Sequence, residues 1–158
     1  MNSESDELSG LLSGEQTTIS GIRSVSEQET LRIAEKFAVC LKPGDVVLLK
    51  GDLGAGKTHF IKGVACYFGI LPEEVLSPTF SLIHEYQGKV PIYHLDCYRL
   101  LQSHQALEMG IEEYLYGDGI SLIEWPEKIA SMLPENYWVV ELKHIDEQIR
   151  EISIYLQV

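Results

Sequence analysis

The segment Gly51-Asp52-Leu53-Gly54-Ala55-Gly56-Lys57-Thr58 has the spacing G-x-x-x-x-G-K-[ST], and its flanks restrict what it can fold into. Before it, Asp45-Val46-Val47-Leu48-Leu49-Lys50 is a short apolar, β-branched run that predicts a buried strand. After it, His59 to Phe68 carries apolar residues at helical spacing. A strand that turns through glycines into a helix directs backbone N–H groups to one point without Cβ obstruction, and the helix N-terminus favours an anion there. Lys57 then reaches the β- and γ-phosphates of a nucleotide, and the Thr58 hydroxyl reaches Mg²⁺. A chance glycine turn would not bring both the strand and the helix with it. The segment reads as a phosphate-binding loop for a nucleoside triphosphate.

The 158 residues are enough for one domain with a sizeable core, and the 45% hydrophobic content is ordinary for a globular chain. No apolar run approaches the roughly 20 residues that span a bilayer. The N-terminus lacks a basic-then-apolar signal, so the expected location is the cytoplasm, away from membranes. Cys40, Cys66 and Cys97 form no C-x-x-C pair and read as reduced core thiols. The net charge of −12 excludes a general attraction for phosphate backbones. DNA is therefore not an expected partner, and any RNA partner is expected to be held by another protein.

Residues 1–21 are rich in Ser, Gly and acid, contain no Lys or Arg, and read as a disordered acidic extension to a single domain over 22–158. Ser26-Glu27-Gln28-Glu29 matches the S-x-x-E capping box, and Leu31, Ala34, Phe37, Ala38 and Leu41 follow on one helical face. Gly69 reads as the C-cap of the second helix. Strands are expected over 80–86 and 90–95, joined as a hairpin through Gln87-Gly88-Lys89. A helix is expected over 102–115 with a weak point at Gly110, a strand over 119–124 and a short helix over 126–132. Two closing strands, 137–142 and 151–156, complete an α/β fold of the P-loop NTPase type, with a mixed, mainly parallel sheet flanked by helices.

Hydrolysis needs more than a phosphate loop: an acid to hold the metal and a group to orient water. Pro91-Ile92-Tyr93-His94-Leu95-Asp96 is an apolar strand closing on a carboxylate, the form of a Walker B element, and Ile120-Ser121-Leu122-Ile123 closes on Glu124. Ligands of α/β sheets bind beyond the carboxyl ends of strands, so both acids are placed to face the triphosphate; each alone would also read as a strand-end cap. Ser77-Pro78-Thr79 stands where P-loop switches sense the γ-phosphate, and reads equally well as a proline turn. His84 and His94 read as packed strand residues. There is no [NT]-K-x-D motif for guanine, and Arg23, Arg32, Arg99 and Arg150 are too scattered for a kinase lid. The residues point to an ATPase without an evident acceptor pocket.

Four ordered motifs carry a resemblance: the loop 51–58, Ser77-Pro78-Thr79-Phe80, Tyr93-His94-Leu95-Asp96-Cys97-Tyr98-Arg99-Leu100, and Leu122-Ile123-Glu124-Trp125-Pro126. Together with Leu107-Glu108-Met109-Gly110-Ile111 they resemble the TsaE family, small ATPases of bacterial tRNA threonylcarbamoyladenosine biosynthesis, over roughly residues 24–156. The resemblance implies an ATP- and Mg²⁺-dependent subunit that acts with TsaD and TsaB and meets tRNA only through that complex. TsaD would transfer the threonylcarbamoyl group to adenosine 37; the TsaE-like chain would not.

By the same resemblance, Lys57, Asp96 and Glu124 are the catalytic residues, and Thr58, Asp96 and Glu124 hold the metal. Gly51, Asp52, Leu53, Gly54, Ala55, Gly56, Lys57 and Thr58 bind phosphate, Thr79 takes the switch position, and the adenine packs near Glu27 and Thr30. Trp125 is expected to report nucleotide binding by its fluorescence. His59, where threonine is usual, and Cys97, where the family more often has an aliphatic or aromatic residue, depart from the pattern. The alternatives are an assembly switch with negligible hydrolysis and a small-molecule P-loop kinase.

Overall fold

The structure is a computed structural model that describes residues 18–76, 82–100 and 102–158. Strand β1 (Thr18–Ser24) buries Ile19 and Ile22 although they are three residues apart, because its register against the last strand shifts between them. Thr18 to Gly21, expected in the loose extension, therefore belong to the sheet; residues 1–17 lie outside the described residues. Helix α1 (Glu27–Ala38) starts where the capping box places it. Glu29 N–H donates to Ser26 Oγ at 3.0 Å, while the Glu29 carboxylate accepts from Val25 N–H at 3.3 Å.

Strand β2 (Val46–Lys50) enters the phosphate loop and α2 (Lys57–Tyr67) leaves it. Strands β3 (Ile83–Tyr86) and β4 (Ile92–Asp96) pair antiparallel, as the short Gln87–Lys89 link requires. The helix expected over 102–115 is two, α3 (Ser103–Glu108) and α4 (Ile111–Leu115), because Gly110 between them adopts φ +73°. Strand β5 (Ile120–Glu124), a 3₁₀ segment (Pro126–Met132), β6 (Tyr137–His144) and β7 (Arg150–Gln157) complete the chain.

The sheet has the order β1-β7-β6-β2-β5-β4-β3. Its middle strands β6, β2, β5 and β4 are parallel, and β3, β7 and β1 pair antiparallel at the two sides. Both faces of β2 are covered, and its residues Val46 to Leu49 are all apolar and buried. Val47 and Leu49 join Phe37, Phe60, Ile61 and Val64 beneath α1 and α2. Val46 and Leu48 join Leu95, Ile111, Leu115, Ile123 and Ile129 on the other face. Phe37 packs at the centre of the first layer, with ring centroids 5.9 Å from Phe60 and 5.3 Å from Trp138. Among the described residues no helix is long and apolar enough to cross a membrane.

The placement of β1 can be tested with one side chain. Ile19→Ala should lower unfolding stability by about 2–5 kcal/mol, the usual cost of deleting a buried isoleucine, read by denaturant melts. A loose tail at residue 19 would leave the midpoint unchanged.

Candidate nucleotide site

The loop that follows β2 passes so close to β6 that a Cβ on Gly51 would lie 2.6 Å from the Leu142 carbonyl oxygen. Only glycine fits there. Gly56 then caps α2 with φ +99°, a left-handed turn that aims the helix N-terminus into the space above the sheet edge. Parallel pairing brings the other strand ends to the same edge. Glu124 is in register with Leu49 of β2 on one side and with Asp96 of β4 on the other. Side chains two apart on a strand share a face, so Asp96 and His94 follow Ile92, and Glu124 follows Leu122, on the face covered by α2.

These elements enclose a cavity of about 350 Å³, within the range of small-molecule sites. Leu53, Gly54, Gly56, Lys57 and Thr58 line it from the loop and helix, and Asp96, Glu124 and Trp125 from the strand ends. Lys57 is buried; its ammonium donates to the Gly51 carbonyl at 2.7 Å and lies 3.8 Å from the centre of the Trp125 ring. Burial pulls the Lys57 ammonium below the usual lysine range, and the charges of Glu124 and Asp96 oppose that shift. Trp125 holds φ +55°, the only positive value at a non-glycine among the described residues, and its ring also meets Tyr98 at 5.0 Å.

Asp96 accepts a hydrogen bond from Tyr98 N–H at 3.0 Å. Burial raises its carboxyl above the usual range, the Tyr98 N–H works against that, and the nearby Glu124 charge adds to it. Glu124 Oε2 lies 2.7 Å from His94 Nε2, with both side chains buried. Cys97, between Asp96 and Tyr98, is buried, and its thiol is pushed up to about 12, so it stays protonated and acts as core.

The structure separates the expected site residues into three groups. Leu53, Gly54, Gly56, Lys57, Thr58, Asp96, Glu124 and Glu27 meet around the cavity. Gly51, Asp52 and Ala55 support the loop instead: the Gly51 carbonyl receives Lys57, and the Asp52 carbonyl receives Ala55 N–H at 3.0 Å. Thr30 does not line the cavity and corrects the expected adenine contact. It lies on the buried side of α1, with its hydroxyl 2.7 Å from Ser24 Oγ of β1. Thr79, with Ser77 and Pro78, lies outside the described residues.

Two cavity residues, His59 and Arg150, are not among the expected site residues. His59 turns inward, 3.3 Å from the Glu27 carboxylate. Arg150 arrives from the start of β7, nearly a hundred positions beyond the loop. Its Nη1 donates to the carbonyls of Asp146, Glu147 and Ile149, and its Nη2 donates to the Gly54 carbonyl at 3.1 Å. No local pattern marks that arginine; only the β6–β7 hairpin carries it to the loop.

Among the described residues no group of three or more His, Cys, Asp or Glu side chains could hold a metal alone. The oxygen donors Thr58, Asp96 and Glu124 nevertheless suit Mg²⁺, which takes one or two carboxylates and completes its shell with phosphate oxygens and water. A second hollow of about 380 Å³, between Leu82, Arg99 and Met109, shares no lining residue with the first.

A glycine loop joining a central parallel strand to a helix, with two acids at the neighbouring strand ends, defines a P-loop nucleotide-binding protein of the α/β class. The family model for the threonylcarbamoyl adenosine biosynthesis protein TsaE matches residues 24–152. The chain belongs to the TsaE family. It is 42% identical over 131 residues to a tRNA threonylcarbamoyladenosine biosynthesis protein TsaE of Treponema pallidum, covering 83% of this chain and 96% of that protein. The Bacillus subtilis protein of the same name is 43% identical over 132 residues, covering 83% and 82%. The crystal structure of Bacillus subtilis YdiB superposes with a TM-score of 0.72 at 39% identity, covering 89% of this chain and 86% of that one.

Arg150 yields a direct expectation. Arg150→Ala removes the tie between hairpin and loop, and should weaken nucleotide binding roughly tenfold, the scale of a charge-assisted hydrogen bond. Titration of Trp125 fluorescence reads the change, and an unaltered affinity would show that the loop holds its shape unaided.

Proposed function

We propose that this chain binds and hydrolyses ATP as the subunit of a tRNA threonylcarbamoyladenosine machinery, acting with TsaD and TsaB on the modification of adenosine 37. It does not perform the transfer, and it reaches tRNA only through those partners. The observation that carries the reading is the register of Asp96 beside Glu124 at the mouth of the cavity that Lys57 and Thr58 also line. A surface with a net charge of −12 agrees with protein contacts in place of a direct grip on RNA.

In this mechanism the loop amides and the α2 N-terminus hold the phosphates, and Lys57 exchanges its contact with the Gly51 carbonyl for phosphate oxygen. Mg²⁺ would supply positive charge against that of the phosphates. Thr58 and Asp96 would hold that ion. Glu124 orients the attacking water or completes the metal's shell, and Trp125 covers the phosphate end against bulk solvent. Nucleotide affinity and affinity for the partner complex are then coupled, each changing the other by the same factor.

The test is phosphate release by the purified chain, alone and with TsaD and TsaB. Slow basal turnover should rise on adding the partners. Lys57→Ala should lose nucleotide binding and turnover together. Glu124→Gln should keep ATP binding while turnover falls on the order of a hundredfold. Full tRNA modification by Glu124→Gln without turnover would replace this reading with a nucleotide-dependent assembly switch. Stimulated hydrolysis that survives both substitutions would place the chemistry elsewhere.

A further inference from the structure

His94 is fully buried in β4, and it touches the cavity only through Glu124. Their contact is diagonal: the register partner of His94 on β5 is Leu122, and the ring reaches past it to the residue two further along. A carboxylate only accepts, so the 2.7 Å contact places a proton on His94 Nε2. Nδ1 is buried and has no hydrogen-bond partner among the described residues. A proton on that nitrogen would be a buried donor with no acceptor among the described residues. Nε2 is therefore the nitrogen whose hydrogen this arrangement uses. His84 closes the other side, its ring 6.4 Å away and nearly perpendicular.

We infer that His94 is a positioning residue that fixes the Glu124 carboxylate, holding Oε2 so that Oε1 is presented to metal or water in the cavity. A glutamate has three freely turning side-chain bonds, and the edge of a sheet does little to restrict its far end. One donor from the adjacent parallel strand removes that freedom, and both strands are interior to the sheet, so the donor itself does not move. What Glu124 does once held rests on the ATPase reading above; that His94 holds it does not.

Two variants and the wild type test this. His94→Gln keeps an amide donor near the position of Nε2, and His94→Leu keeps the bulk without a donor. In the nucleotide-free wild type, ¹⁵N–¹H spectra of the imidazole should show the Nε2–H tautomer. With partners present, His94→Leu should lose about 10–100-fold in kcat, the usual effect of removing a support behind a metal or water ligand, while KM for ATP moves less than about threefold. His94→Gln should recover most of that loss. An Nδ1–H tautomer, an unchanged kcat in His94→Leu, or a folded His94→Gln as impaired as His94→Leu would each overturn the inference. If His94→Leu does not fold, the wild-type spectrum and His94→Gln decide. A wild type without turnover would fail the ATPase reading alone. The inference is then judged by the gain in ATP affinity on adding Mg²⁺, followed by Trp125 fluorescence. A smaller gain in His94→Leu supports it and an equal gain overturns it.

Discussion

The parallel pairing of β2, β5 and β4 is the constraint on which the site depends, because strands that run the same way end at the same edge. Ile123 lies beside Leu48 and Leu95, and that register leaves Glu124 between Leu49 and Asp96 immediately below the glycine loop. A slip of one residue would turn Glu124 to the opposite face, where Ile123 packs against α4 and the 3₁₀ segment, and would bury a charge in apolar surroundings. The apolar pattern that covers both faces of the sheet therefore also aligns the acids. Packing and chemistry are set by the same hydrogen-bond ladder.

The phosphate loop is the second consequence. It lies against β6 so closely that Gly51 has no room for a side chain, and the β6–β7 hairpin returns Arg150 to grip the Gly54 carbonyl. Two cations, Lys57 and Arg150, line the cavity together with three carboxylates, Glu27, Asp96 and Glu124, on a strongly acidic chain. Long-range attraction does not draw an anion to such a protein. Short-range contacts from partly buried groups such as Lys57 are what the site offers an anion.

Much of this was legible in one dimension. The loop, its strand and its helix follow from residues 45–68 because each is a local pattern, and the two strand-end acids are visible as apolar runs that stop on a carboxylate. What escaped has physical causes. Strand β1 was hidden because its bulge spaces Ile19 and Ile22 by three, which breaks the alternation that marks a strand. Thr30 looked available near the first helix but is enclosed by Ser24 of that same strand. Arg150 carries no motif, and its role exists only because an antiparallel hairpin folds back over the loop. The helix over 102–115 was seen with its weak point, yet the break at Gly110 is a backbone conformation that periodicity does not report.

By itself the sequence pointed to a phosphate-binding loop and determined the α/β architecture and the family, since each rests on short motifs with fixed internal spacing. The tertiary structure decided which groups meet: Asp96 beside Glu124, His94 against the Glu124 carboxylate, Trp125 over Lys57, and Arg150 on Gly54. The physical reason is that spacing constrains only neighbours along the chain. Contacts made by residues 28 to 96 positions apart depend on strand order and register, and those are outcomes of packing the whole core.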